Sequence, residues 1–243
     1  LLIINAACNS NDIKWLKTHL EGKNITISDA KENNVLIAIQ GPASNKILQN
    51  YFEESLIKIP TFGHRNLNIQ NIQIDKAYTK TFISRTGYTG EDGFELLLHT
   101  KTGKQLWNQL LTDGVTPCGL GSRDTLRLEA GLHLYGNDMG SKTTPFEAGL
   151  GWLVHLEMKS NFIGREALEK QAKEGIKKRL VGLTTEGRAI ARHGYGIFHQ
   201  DERVGEVTSG TWSPTLQKPI ALGYVPRELA AIGTTIYIDI RGQ

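Results

Sequence analysis

The sequence predicts an α+β protein of more than one domain, ending in a small antiparallel β-barrel. Three observations predict it. Residues 35–112 read as strand, helix, three strands and a closing helix, the order of an α+β unit. From residue 178 onward, short apolar runs alternate with turn residues, the spacing of a small barrel. Between these regions the polar, charged stretch 170–179 reads as a linker. At 243 residues the chain can hold one large domain or two to three smaller ones.

The opening apolar run, 1–7, reads as a buried strand. Asn9, Ser10, Asn11 and Asp12 precede Ile13, Leu16 and Leu20, with Gly22 beyond: a capped amphipathic helix with a glycine stop. Residues 25–27 read as a short strand and 35–39 as a buried one. Gly41-Pro42 opens a helix that runs through Ile47, Leu48, Tyr51 and Phe52. Imperfect alternation over 67–74, with 77–85 and 93–98, gives antiparallel strands, and the helix 103–112 closes the unit. A second helical segment spans 119–134, with Ser122 as its cap. A loop bearing Gly136, Gly140 and Pro145 leads to Trp152 and a helix at 164–173. The barrel strands fall at 180–183, 196–198, 204–207 and 221–225, with a last one at 236–241. Because 1–7 and 236–241 both read as strands that stop abruptly, the chain is expected to be cut at both ends.

A net charge of +3 with scattered lysines and arginines argues against a nucleic-acid surface. Two cysteines, Cys8 and Cys118, make neither a disulfide framework nor a zinc motif, and they favour a reducing compartment. No apolar run approaches the ~18 residues of a membrane span, and no leader pattern opens the chain.

The densest signal is Arg85-Thr86-Gly87-Tyr88-Thr89-Gly90-Glu91-Asp92-Gly93-Phe94-Glu95. Its glycines allow tight turns or close approach. Glu95 then stands within an apolar strand, where a carboxylate is costly without a partner. Two readings stay open: an acceptor for two N–H groups of a flat heterocycle, or an outward residue of a half-exposed strand. Arg123 and Asp124, after Gly121-Ser122, mark either an anion-facing helix start or a salt-bridged face with Arg127 and Glu129. Gly119-Leu120-Gly121 lacks the third glycine of a dinucleotide fingerprint. Glu91, Asp92 and Glu95 sit too close in one loop for a glycosidase pair. The seven histidines fall in no metal-ligand spacing.

Taken in order, Gly87 to Glu95, Gly121-Ser122-Arg123-Asp124-Thr125-Leu126-Arg127-Leu128-Glu129-Ala130-Gly131, Leu134-Tyr135-Gly136-Asn137-Asp138 and Thr143-Thr144-Pro145 form one pattern. It continues through Trp152, Asn161-Phe162-Ile163-Gly164-Arg165-Glu166-Ala167-Leu168, Gly205-Glu206-Val207-Thr208-Ser209-Gly210 and Gly223-Tyr224-Val225-Pro226. This resembles the T-protein family of the glycine cleavage system, the tetrahydrofolate-dependent aminomethyltransferases, over nearly the whole chain.

The resemblance implies a multi-domain folate-binding aminomethyltransferase fold: 1–34 and 113–172 interleaved in a central domain, 35–112 an α+β domain, and 178–243 the C-terminal barrel. It implies transfer of a one-carbon unit from the aminomethyl-lipoyl arm of H-protein to N5 of tetrahydrofolate, with release of ammonia. Glu95 would take the amino-pyrimidine edge of the pterin. Arg123 would be a further folate-site residue, and Tyr88 would line the pocket. Asn5 and Ile4 would lie against the folate. The family's key aspartate belongs to an Asp-Asp-Leu-like segment upstream of this chain, so no catalytic residue is assigned within it. The chain alone is expected to be inactive. Tetrahydrofolate and H-protein are the implied partners, without nucleic acid or membrane, in the cytoplasm of a bacterium or the matrix of a mitochondrion. The folate-binding portion of a dimethylglycine- or sarcosine-type oxidoreductase is the alternative. A folate-binding protein of iron–sulfur maintenance ranks last.

Overall fold

A computed structural model describes residues 1–240. The N-terminal segment is irregular up to a 3-10 turn, Ala6–Cys8, that leads into helix α1, Asn9–Leu20. The expected strand over 1–7 does not form. Leu1, Leu2 and Ile3 are mostly exposed and pair with no strand, and a strand without neighbours leaves its backbone unpaired. Residues 25–27 are likewise not a strand, and Ile25 is exposed.

Strand β1, Asn34–Gln40, begins the α+β unit. Helix α2, Ser44–Leu48, and two 3-10 turns follow. Then come β2, His64–Asn68, β3, Lys80–Ser84, β4, Gly93–His99, and helix α3, Thr100–Thr112. The predicted order of strand, helix, three strands, helix holds. The run 67–74 does not: β2 ends at Asn68, and the chain turns through Asn71 at φ 58°. Helix α3 starts three residues early because His99 caps it, its Nδ1 accepting from Lys101 N–H at 3.2 Å.

The four strands form an antiparallel sheet in the order β1-β4-β3-β2. Alternation along the strands divides its faces. Ile37, Ile39, Phe94, Leu96, Leu98 and Ile83 turn inward and pack with Leu48, Leu106 and Leu110 of the helices. Each such buried side chain contributes about 1.5–3 kcal/mol. The opposite face carries Leu36, Ala38, Glu95, Leu97, Phe82 and Ser84, with Ala38 and Ser84 flanking Glu95 in register.

Helix α4, Leu120–Glu129, starts after Gly119 with no side-chain cap, so Ser122 lies inside it. It stops well before residue 134. Gly131 adopts φ 68°, and Leu132 N–H closes back on Arg127 O at 2.8 Å, a glycine-terminated helix end. Helix α5, Arg165–Glu174, precedes the C-terminal sheet. That sheet holds β5, Lys178–Thr184, β6, Gly196–His199, β7, Glu202–Ser213, β8, Lys218–Pro226, and β9, Tyr237–Ile238. All pairs are antiparallel, in the order β5-β8-β7-β6-β9, with two register irregularities along β7, at Val204 against β6 and at Thr208 against β8. Bulges increase strand twist and bend. The core of this sheet is Ala191, Ile197, Val207, Ala221 and Val225. The last expected strand, 236–241, is confined to β9, and Arg241 lies outside the described residues.

Candidate functional site

The glycine-rich loop between β3 and β4 is locked at its base and along its length. Arg85 grips Asp92 through two bonds, Nε to Oδ1 and Nη2 to Oδ2, both 2.8 Å. Arg85 Nη1 also donates to the carbonyls of Ile57 and Ile59. The hydrogen bond from Arg85 holds the Asp92 carboxyl below the usual carboxylate range. Asp92 therefore closes the loop.

Gln40, the last residue of β1, fills the inside of the loop. Its Nε2 donates to Thr86 O at 3.1 Å and Phe94 O at 3.3 Å. A Cβ on Gly87 would stand 1.8 Å from Gln40 Oε1, and one on Gly93 2.6 Å from Gln40 Cδ. The two glycines let that carboxamide lie flat against the backbone. The third, Gly90, sits at φ 77°, where a Cβ would come within 2.8 Å of Ala130 Cβ at the end of α4.

Glu95 is half-buried on the open face of the sheet. Thr86 Oγ1 donates to its Oε2 at 2.5 Å, while Oε1 accepts no hydrogen bond from the described residues. Among those residues Glu95 forms no ion pair. The side chain lies on the outward face of its strand and has Thr86 as its one side-chain partner among the described residues.

Tyr88 and Arg123 come together. The Arg123 guanidinium lies over the Tyr88 ring, 4.7 Å from its centroid, a cation–π contact worth about 0.5–1 kcal/mol at an exposed site. The Tyr88 hydroxyl donates to His133 O, and burial pushes its pKa up. Tyr88 thus supports Arg123 and spans from the loop to the segment after α4. A cleft of about 260 Å3 adjoins this point, bounded by Gln40, Thr89, Glu91, Trp107, Cys118 and Arg123. A larger cleft, about 1160 Å3, lies between β5 and residues 229–238, remote from the glycine loop. The smaller one includes Arg123 and the loop residues Thr89 and Glu91, but neither Glu95 nor Tyr88 lines it. Asn5 and Ile4 lie in the irregular N-terminal segment. Among the described residues, no hydrogen bond ties their side chains to Glu95, Tyr88 or Arg123.

On α4, Asp124 and Arg127 pair across one turn, while Arg123 and Glu129 take partners elsewhere. Arg127, 1% exposed, turns inward. It bonds Asp124 at 2.8 Å, Asp138 at 2.6 Å, Leu132 O at 3.1 Å and Ser209 Oγ at 2.8 Å. Burial opposes its charge, but Asp124 and Asp138 outweigh that and raise its pKa. Asp138, fully buried, also accepts from Thr208 Oγ1 at 2.6 Å and Leu134 N–H at 2.8 Å. Glu129 accepts from Ser213 Oγ at 2.5 Å and from Thr215 N–H and Oγ1 at 3.1 and 2.9 Å. Arg127 and Glu129 thus weld the helix bearing Arg123 to the C-terminal sheet. The sequence reading missed Gln40, Ser84, Thr86 and the Arg127–Asp138 pair. Only the flanking Arg85 and Asp92 hinted that the loop was braced. Among the described residues no cluster of His, Cys, Asp and Glu could hold a metal ion, and no helix is long and apolar enough to cross a membrane.

Residues 1–158 match the GCVT N-terminal domain, and residues 178–243 match the Glycine cleavage T-protein C-terminal barrel domain. The pairing defines a class, an α+β unit carrying the glycine-rich loop followed by a barrel. The chain belongs to the glycine cleavage T-protein family. It is 58% identical over 243 residues to an aminomethyltransferase of Prochlorococcus marinus (strain MIT 9313), covering all of this chain and 65% of the relative. Another, from Synechococcus sp. (strain CC9902), is 56% identical with the same coverage. The crystal structure of glycine cleavage system aminomethyltransferase T from Bartonella henselae superposes with a TM-score of 0.87 at 34% identity, covering 98% of this chain and 64% of that one. The chain spans about 65% of the length of the curated relatives it matches.

Proposed function

We propose that this chain carries the folate-recognition part of a tetrahydrofolate-dependent aminomethyltransferase of glycine cleavage. In this reading the one-carbon unit arrives on the lipoyl arm of H-protein and passes to N5 of tetrahydrofolate. The observation that carries the reading is Glu95: a half-buried carboxylate on an open sheet face, one oxygen held by Thr86 and the other without a hydrogen bond from the described residues. A carboxylate so presented suits a ligand edge with adjacent N–H donors, which the amino-pyrimidine edge of a pterin offers. Arg123, steadied by Tyr88, supplies a positive charge on the neighbouring helix. Asn5 and Ile4 complete the ring's surroundings in this proposal. These residues bind and orient the folate. No step of bond making is assigned to them. The relatives named aminomethyltransferase support this reading over the oxidoreductase alternative, which no observation favours.

The test is calorimetric titration of tetrahydrofolate into a full-length protein carrying these 243 residues. Glu95→Ala should weaken binding by about 2–4 kcal/mol, since a charged hydrogen-bonding partner is lost. Unchanged affinity would sink the assignment. A companion assay follows methylenetetrahydrofolate formation from aminomethylated H-protein.

A further inference from the structure

The Thr86 hydroxyl that holds one Glu95 oxygen has a second hydroxyl behind it, that of Ser84, and the two contacts run in one direction. The contact from Thr86 Oγ1 to Glu95 Oε2 is 2.5 Å, and an ionised carboxylate can only accept, so Thr86 donates. A threonine hydroxyl has one proton. In its 2.8 Å contact with Ser84 Oγ, Thr86 must therefore accept and Ser84 donates, the shorter contact taking the Ser84 proton over the 3.4 Å one to the Glu95 carbonyl. Ser84 is 8% exposed and stands opposite Glu95 in the β3–β4 register. The backbone of Thr86 is held as well, its carbonyl accepting from Gln40 Nε2 at 3.1 Å. Threonine is also stiff at χ1. Main chain, rotamer and hydroxyl direction are all constrained.

We propose that Thr86, with Ser84 behind it, is a positioning residue that fixes the Glu95 carboxylate and sets its specificity for a ligand edge with two N–H donors. Glu95 has only acceptors to offer, and the one proton of Thr86 is already committed to it. An edge lacking one of the two donors leaves a carboxylate oxygen unmatched, and one presenting an acceptor there meets no proton. A polar mismatch at this half-buried carboxylate is a basis for discrimination. The inference rests on the reading that Glu95 takes the amino-pyrimidine edge of tetrahydrofolate.

The experiment measures affinity for tetrahydrofolate and for its 2-desamino analogue, in a full-length protein carrying this chain. The variants are Thr86→Val, Thr86→Ser, Ser84→Ala and Glu95→Ala. Thr86→Val should bind tetrahydrofolate about tenfold more weakly, as expected for a lost hydrogen bond to a charged group. Its preference over the analogue should shrink, which a merely structural role would not cause. Thr86→Ser keeps the hydroxyl and should remain within about twofold of the parent. Ser84→Ala leaves the donor but frees its direction, and should cost roughly threefold. If Thr86→Val retains the parent's preference while Glu95→Ala loses affinity, the positioning role is overturned and the reading of Glu95 stands. If Glu95→Ala binds like the parent, the reading of Glu95 itself falls. Should Thr86→Val not fold, Ser84→Ala decides, and an unchanged preference there overturns the proposal.

Discussion

Arg127→Met tests the weld between α4 and the C-terminal sheet. The substitution keeps much of the side-chain volume and removes all of its donors. Asp138, 0% exposed, then loses its partner at 2.6 Å. It retains Leu134 N–H and Thr208 Oγ1, while Leu132 O and Ser209 Oγ each lose the guanidinium as donor. Leaving a buried charge without its counter-charge costs about 3–5 kcal/mol. For a chain of this size that corresponds to a Tm lower by about 6–20 °C. Asp138→Asn makes a sharper comparison. Its carboxamide oxygen can still accept from Arg127 and Leu134, and its NH2 can donate to the Thr208 hydroxyl, which can rotate to accept. The cost should be only about 1–2 kcal/mol, because Arg127 keeps Asp124 as its counter-charge. Calorimetric melting with parallel urea unfolding measures both. If Arg127→Met melts within about 2 °C of the parent, or Asp138→Asn proves the more damaging, the account of this pair is wrong.

Gly90→Ala should destabilise by roughly 1–2 kcal/mol from its left-handed backbone alone. Pairing it with Ala130→Gly should recover the contact part, and full recovery in urea melts would show that the backbone was never strained. Gly87→Ala should expel the Gln40 carboxamide and lose its two bonds at about 1–3 kcal/mol. In a double-mutant cycle with Gln40→Ala the two changes should be strongly non-additive, and simple additivity would exclude the mechanism. Glu129 provides a pH signature. Burial acts to raise its pKa, but the bonds from Ser213 and Thr215 outweigh it and hold the value below the ordinary 4.5. A depressed carboxylate adds stability that is complete above the unfolded value and is lost as pH falls through the folded one. The Tm gap between the parent and Glu129→Gln should thus be constant near neutrality and close in acid. A gap that persists unchanged at low pH would contradict it.

Much of the secondary structure was legible because it follows local rules. The 35–112 unit appears in its predicted order since alternating and helical apolar spacing survive in any context that buries one face. The misreadings have a common cause. Residues 1–7 and 25–27 have strand composition, but β structure needs a neighbour, and none pairs with them. Ser122 is a good cap residue, yet the helix begins a turn earlier.

The same division runs through the site. Composition and spacing alone marked the glycine loop, the awkward Glu95 and the charged start of α4, because residue types declare chemical capacity wherever they stand. Partners are another matter. Arg123, Arg127 and Glu129 lie within seven residues and serve a tyrosine ring, a buried aspartate and a distant turn, respectively. Gln40 reaches residues 46 and 54 positions away. Which carboxylate is spent on structure, as Asp92 is on Arg85, and which keeps an oxygen without a partner among the described residues, as Glu95 does, is decided by how the loop and the strands beside it pack. Those contacts exist only once the sheet has set its register and α4 has docked, so only the tertiary structure could assign them.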